Sequence, residues 1–327
     1  MKRAQYFLYS LAVVLPLIVI RTLEVFFYTD EYGIVTHGLS WLKVVLFSLI
    51  LATAAFTYKK AQSEFSGVMF RQEAVYTQWD TKSPAIIALM FIFTGLLTLV
   101  YMGFMVWHIK VEFFDAEQLQ HAAAYGVAFI YRDLVDNITK AVIVIFGILA
   151  AVWMFQIALA FFAKGEEKTK QRLHKSAALS VTLPIWILLR AFNTFSGHSV
   201  NQHDQTYLYP MLAVTLLGVC FTSFSKFFGL QLEESCLPGT IMLSIVSFCS
   251  TIGLAAPTVV TYITSHDYYS ILRIAVDIML ALSAFFTTSI FLPRQKSLDG
   301  NVPHKHIRKD QYKVKVIYKK DGYVVKG

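Results

Sequence analysis

Apolar runs of about twenty residues recur along this chain, each long enough for a helix to cross the roughly 30 Å hydrocarbon core of a bilayer. In lipid every backbone N–H and C=O must find a partner within the protein, so a spanning segment has to be a helix or part of a closed barrel. Barrel strands would alternate in polarity over roughly ten residues, whereas these runs are continuously apolar. With 56% of residues hydrophobic and only 15% charged, a soluble enzyme is excluded and an all-α polytopic membrane protein is expected.

The pattern places eight transmembrane helices at 6–28, 37–58, 84–107, 128–163, 176–196, 207–228, 237–263 and 268–292. An even number of spans puts both termini on one side. The basic residues Lys2, Arg3, Lys59 and Lys60, the 164–175 stretch (Lys164, Lys168, Lys170, Arg172, Lys175) and the tail after Pro293 all fall on that side, which the positive-inside rule makes cytoplasmic. A basic start before an apolar run also resembles a secretory leader, but no small-residue cleavage site follows. The first span is therefore read as part of the mature protein.

A second feature is internal duplication. Leu15-Pro16 leads to Arg21, Glu24 and Phe26, and Leu183-Pro184 leads to Arg190, Asn193 and Phe195; Arg132 and Asp136 are echoed by Arg273 and Asp277, and Pro84 by Pro238. Two parallel four-helix repeats are expected, residues 1–163 and 176–293, joined by the cytoplasmic linker 164–175 and followed by a basic cytoplasmic tail, 294–327. Parallel repeats related by an axis normal to the membrane are one way transporters are built, with the ligand between them. The alternative is a fused four-helix dimer with no pathway.

Both echoes carry charge into apolar surroundings, where it is costly and tends to mark function. At about 1.5 Å of rise per residue, Arg21 and Arg190 lie roughly 21–22 Å above the cytoplasmic ends of their helices. Descending spans bring Arg132, Asp136, Arg273 and Asp277 to the same outer layer. Arg21 and Glu24 share a helix face, as do Arg132 with Asp136 and Arg273 with Asp277. The simplest arrangement sets the first span against the fourth, pairing Arg21 with Asp136 and Glu24 with Arg132, and the fifth likewise against the eighth. This is a structural reading, in which the pairs fix helix register.

Charge counting gives the competing reading. The first half balances, but Asn193 stands where Glu24 would be, so Arg190 and Arg273 face Asp277 alone. The surplus positive charge would cost several kcal/mol if left bare in low dielectric. Asp133, matched by Ile274 in the other half, is one neutraliser; water or a small anionic ligand is another.

Other features are weaker. Cys220, Cys236 and Cys249 have neither disulfide nor metal spacing and read as packing residues. Lys43 and Lys226 sit near span ends, where they snorkel. The outer segment 108–137 is acidic, and Asp115-Ala-Glu-Gln reads as a helix start there or as an early start of the fourth span. His108, His121, His198, His203 and His266 lie in outer segments without ligand spacing, so no metal is expected. Asn137-Ile-Thr139 matches a glycosylation acceptor but falls at the membrane edge. In the tail, alternating Val and Lys around Asp321-Gly322 suggests a basic hairpin suited to anionic lipid headgroups.

No nucleotide loop, zinc-protease or nucleophile-elbow motif occurs, and no nucleic-acid reader or cofactor motif. Each acid in the layer has an arginine neighbour, which spoils it as a general acid. The function expected is that of a plasma-membrane, transporter- or permease-like binder of a small anionic or amphiphilic ligand at the Arg–acid layer (Arg21, Glu24, Arg132, Asp136, Arg190, Asn193, Arg273, Asp277). The alternative is a non-catalytic scaffold or sensor in which those pairs are structural.

Overall fold

In the computed structural model eight helices are long and apolar enough to cross a membrane: Gln5–Phe27, Val44–Ser63, Ala85–Trp107, Asn137–Phe161, Ala177–Phe195, Leu208–Lys226, Pro238–Thr264 and Tyr268–Ser289. Apart from one short hairpin the described chain is helical, consistent with a polytopic membrane protein. The structure describes residues 3–28, 40–65, 83–114, 127–162, 176–196, 205–228, 237–290, 316–319 and 322–325. The 164–175 linker, most of the tail, the outer residues 115–126, His121, His198, His203 and Cys236, and the side chains of Lys43, His108, Arg132, Asp133 and Asp136 lie outside that description.

The helices are α1 (Arg3–Tyr28), α2 (Ser40–Phe65), α3 (Ser83–Phe114), α4 (Val127–Phe161), α5 (Thr182–Ser196, entered through a 3-10 turn), α6 (Gln205–Phe228), α7 (Leu237–Ser250), α8 (Val259–Thr264) and α9 (Tyr268–Ile290). Several ends differ from the sequence expectation. The second helix continues through Lys59 and Lys60 to Phe65, and the third runs past its apolar window to Phe114. Polar residues at a span end keep bonding i to i−4, so helix and apolar window need not stop together. The fourth begins at Val127, ten residues before its apolar window opens at Asn137.

The seventh span is interrupted, which apolarity alone does not reveal. Between α7 and α8 the chain passes through a π turn at Thr251–Ala255 and a 3-10 turn at Ala256–Thr258. Pro257 has no N–H to continue the ladder, and π turns commonly mark such insertions. Packing also acts here: a Cβ at Gly253 would stand 2.7 Å from Leu17 Cβ, so α1 approaches this turn because residue 253 has no side chain. At the next corner His266 takes a left-handed conformation (φ 55°), and Asp267 caps α9 by accepting the Ser270 N–H at 3.0 Å.

The earlier and the later spans have different neighbours. The helices α5, α6, α7 and α9 form one connected set: α5 packs on α6, α6 on α7, and α7 on α9. Among the described residues α1 and α2 scarcely touch each other; α2 lies along α7, and α1 along α7 and its π turn. The α3–α4 pair packs closely together and reaches the rest through α5 and α9. The expected seating of the first span against the fourth is thus replaced by seating against the seventh, because the interrupted span offers α1 a side-chain-free notch at Gly253.

Buried hydroxyls stitch these helices together, and hydropathy gave no sign of them. Tyr6 Oη lies 3.0 Å from Ser244 Oγ and donates to the Phe285 carbonyl at 3.2 Å. Thr94 and Ser283 meet at 3.1 Å between α3 and α9. Small hydroxyl residues let helices approach closely in lipid, where no hydrophobic force draws them together. Cys220 and Cys249 are buried thiols, and Lys226 in the last turn of α6 is exposed, as expected.

The tail carries the anticipated hairpin, β1 (Val316–Lys319) paired antiparallel with β2 (Gly322–Val325). Its register differs from the expectation: Gly322 pairs with Lys319, so residues 320–321 form the connection instead of Asp321-Gly322.

Candidate functional site

Arg21, Arg190, Arg273, Glu24 and Asp277 are all buried, Arg273 the least so at 9% exposed. Arg21, Glu24 and Arg190 lie toward the later end of their spans, and Arg273 and Asp277 toward the earlier end of theirs. They divide into two clusters.

The first is local. Arg21 Nη1 donates to Glu24 Oε2 at 2.7 Å, three residues along the same helix. The Arg21 guanidinium carbon lies 4.3 Å from the ring centroid of Tyr209 on α6, and Tyr209 leans on Phe47 of α2 at 5.9 Å between centroids. A cation over a π face is attracted by the ring quadrupole, most strongly where water is excluded. The expected partners Arg132 and Asp136 lie on α4 with side chains outside the description.

The second cluster is tertiary. Arg190 Nη1 stands 2.8 Å from Asp277 Oδ1, joining α5 to α9, where the fifth span was expected to meet the eighth. The ion pair engages one guanidinium nitrogen and one carboxylate oxygen. Two rings flank the guanidinium: its carbon lies 4.7 Å from the Trp186 centroid, one turn down the same helix, and 5.0 Å from that of Tyr101 on α3. Tyr101 Oη lies 2.9 Å from Tyr269 Oη on α9. Arg273, one turn from Asp277 on the same face of α9, donates through Nη2 to Tyr262 Oη on α8 at 3.3 Å. Asn193 lies on α5 beyond Arg190, half-buried.

The donors in this cluster outnumber its acceptors. Arg190 Nε, Nη1 and Nη2 and Trp186 Nε1 are buried and make no hydrogen bond to a protein acceptor among the described residues. The indole nitrogen itself is closely packed: a Cβ at Gly147 of α4 would stand 2.8 Å from Trp186 Nε1 and closer still to Met102 Sδ of α3. The indole is held in place by the α3–α4 contact and cannot swing away to a distant acceptor without moving those helices.

The aromatic members of the site, Tyr101, Trp186, Tyr209, Tyr262 and Tyr269, were not singled out from sequence. A signal existed for two of them. Trp186 precedes Arg190 by four residues and Tyr269 precedes Arg273 by four, so each shares a helical stripe with its arginine. Tyr101, Tyr209 and Tyr262 come from other helices, and only packing identifies them. No group of three or more His, Cys, Asp or Glu able to hold a metal ion occurs among the described residues.

Comparison with family models, curated proteins and solved structures finds no match to this chain.

Proposed function

We propose that the protein is a multi-pass plasma-membrane protein, with cytoplasmic termini and two parallel four-span halves, that binds a small anionic or amphiphilic ligand at the Arg190–Arg273–Asp277 cluster in a transporter- or permease-like role. One observation supports this reading above others. Two buried guanidiniums lie near one buried carboxylate, which pairs with Arg190, and Arg190 Nε and Nη2 meet no protein hydrogen-bond acceptor among the described residues. Buried charge is tolerated in a membrane helix when it is paired or when it serves a pathway or ligand. The basic loops and hairpin tail suit the anionic headgroups of a cytoplasmic leaflet.

The test is thermal stability of the purified protein in a neutral detergent, titrated with a panel of anions. A ligand that binds only the folded state raises the melting temperature in proportion to the logarithm of its concentration above Kd. Saturable stabilisation by at least one anion, lost in Arg273→Gln, is expected; no response to any anion would remove the reading.

A second reading has its own observation. Arg21–Glu24 and Arg190–Asp277 both lie within 2.8 Å, the geometry expected of a scaffold or sensor whose ion pairs only hold helices. Proteoliposome flux separates the two: a scaffold moves no anion across the bilayer under any gradient, and a permease does.

A further inference from the structure

We infer that the ligand of the Arg190 cluster is a monocarboxylate with an apolar body, bound by the guanidinium edge of Arg190 and the indole N–H of Trp186; this rests on the anion-binding reading above and narrows it to one chemical class.

Charge sets the valence. Among the described residues the cluster holds Arg190 and Arg273 against Asp277, with Tyr101, Tyr262, Tyr269 and Trp186 around them as neutral walls. The sum is one positive charge, which one negative charge cancels. A sulfate or doubly ionised phosphate would leave a net negative charge in the same low-dielectric surroundings, as unfavourable as the surplus it replaced.

Donor geometry sets the shape. Rings lie against the Arg190 guanidinium at 4.7 Å and 5.0 Å, so acceptors reach it at its N–H edge. That edge is a fork of parallel donors that matches the two oxygens of a carboxylate. Asp277 meets the guanidinium at Nη1 alone, and Nε and Nη2 have no protein acceptor among the described residues. The Trp186 N–H, on the same helical stripe, is a further buried donor with no protein acceptor among the described residues. A halide carries the right charge but is a single centre and cannot take two parallel N–H bonds as two oxygens do.

The walls set the rest of the ligand. The faces of the aromatic rings and the apolar helix surfaces beyond them are hydrocarbon, and the Tyr101 and Tyr269 hydroxyls are engaged with each other. These surfaces favour a hydrocarbon or aryl body, by burial of apolar area and ring stacking.

The experiment titrates sodium benzoate, benzamide, sodium chloride and sodium sulfate separately into the full-length protein in neutral detergent at low salt, reading the melting temperature. Benzoate is expected to stabilise saturably, with half-saturation at least tenfold below that of chloride or sulfate, and benzamide to have no effect. Arg273→Gln should abolish the benzoate response. Arg190→Lys, which keeps the charge and loses the fork, should retain an anion response while losing the tenfold preference for benzoate over chloride. Chloride or sulfate acting at concentrations equal to or below benzoate would overturn the monocarboxylate class and leave the anion site standing. No response to any anion would overturn both, and so would an unresponsive wild type whose Asp133→Asn variant responds, since Asp133 would then be the neutraliser.

Discussion

Arg21 and Arg190 each follow a Leu-Pro pair within an apolar span, yet one takes its acid from its own helix and the other from a different one. Arg21 reaches Glu24 three residues along α1, a contact that an isolated helix could make. Arg190 reaches Asp277 on α9 and lies against Tyr101 of α3, so these two contacts exist only when three helices are assembled. The substitution responsible is Glu24 to Asn193. Once the local acid is gone, the arginine depends on an acid that already has Arg273 for a neighbour. Among the described residues one arginine therefore sits in a balanced pair and the other in an unbalanced trio.

Removing the acid of each site tests that contrast most severely. Asp277→Ala leaves two guanidiniums buried with no carboxylate between them and cuts the tie between α5 and α9. Breaking a buried pair by removing one partner costs about 3–5 kcal/mol, and here two charges are uncovered. The largest fall in melting temperature, or failure to accumulate in the membrane, is expected for this variant. Glu24→Ala uncovers one arginine that keeps its ring contact with Tyr209, so its fall should be smaller. Equal losses at the two sites would show that the trio is no more demanding than the pair.

Deleting both charges sharpens the comparison. Replacing a buried ion pair by hydrophobic residues of similar volume is often neutral, or stabilising by about 1–4 kcal/mol. Arg21→Leu with Glu24→Leu should therefore melt within a few degrees of the wild type. Arg190→Leu with Asp277→Leu should not, because Arg273 remains buried and, among the described residues, its hydrogen bond is to the Tyr262 hydroxyl at 3.3 Å. Adding Arg273→Leu to that double variant should restore stability. The same melting assay reads all three, and a tolerated double variant at the second site would mean that Arg273 is neutralised by some other group.

How much of this was legible in the sequence depends on how locally each feature is determined. Span number and approximate position follow from apolar run length, a property of each segment alone, and eight candidate spans are present. The charged layer was legible for the same reason, since Arg190, Arg273 and Asp277 each reach it by helix rise within their own span. What escaped was set between segments. The seating of α1 depends on Gly253 meeting Leu17, two residues with no sequence signal linking them. The break in the seventh span was half legible, because Pro257 and Gly253 stand in plain view inside an apolar run that hydropathy treats as continuous. Tyr101 and Tyr262 look like ordinary span residues until their helices are packed.

The Gly253 notch is an intermediate test, independent of charge. Gly253→Ala places a methyl 2.7 Å from Leu17 Cβ, and overpacking of a tight contact costs about 1–3 kcal/mol. Because Leu17 lies one helical turn before Arg21 on the same face of α1, pushing it outward should also loosen Arg21 from Tyr209. Adding Leu17→Ala should recover most of the lost stability, and failure to recover would place the strain elsewhere in the π turn.

The smallest effects should come from the rings, and they address whether the aromatic contacts of the two arginines are equivalent. Tyr209→Leu removes the face over Arg21 and keeps an apolar side chain, for an expected loss of about 1 kcal/mol, in the range of a partly desolvated cation–π contact. Tyr101→Phe keeps the ring beside Arg190 and deletes only the hydroxyl bonded to Tyr269, so the loss should again be about 1 kcal/mol, the net worth of one hydrogen bond. The pair is informative because the first variant removes a π face and the second preserves one. If Tyr101→Phe proves as harmful as Asp277→Ala, the tyrosine pair between α3 and α9, and not the ion pair between α5 and α9, is what holds the second cluster in register.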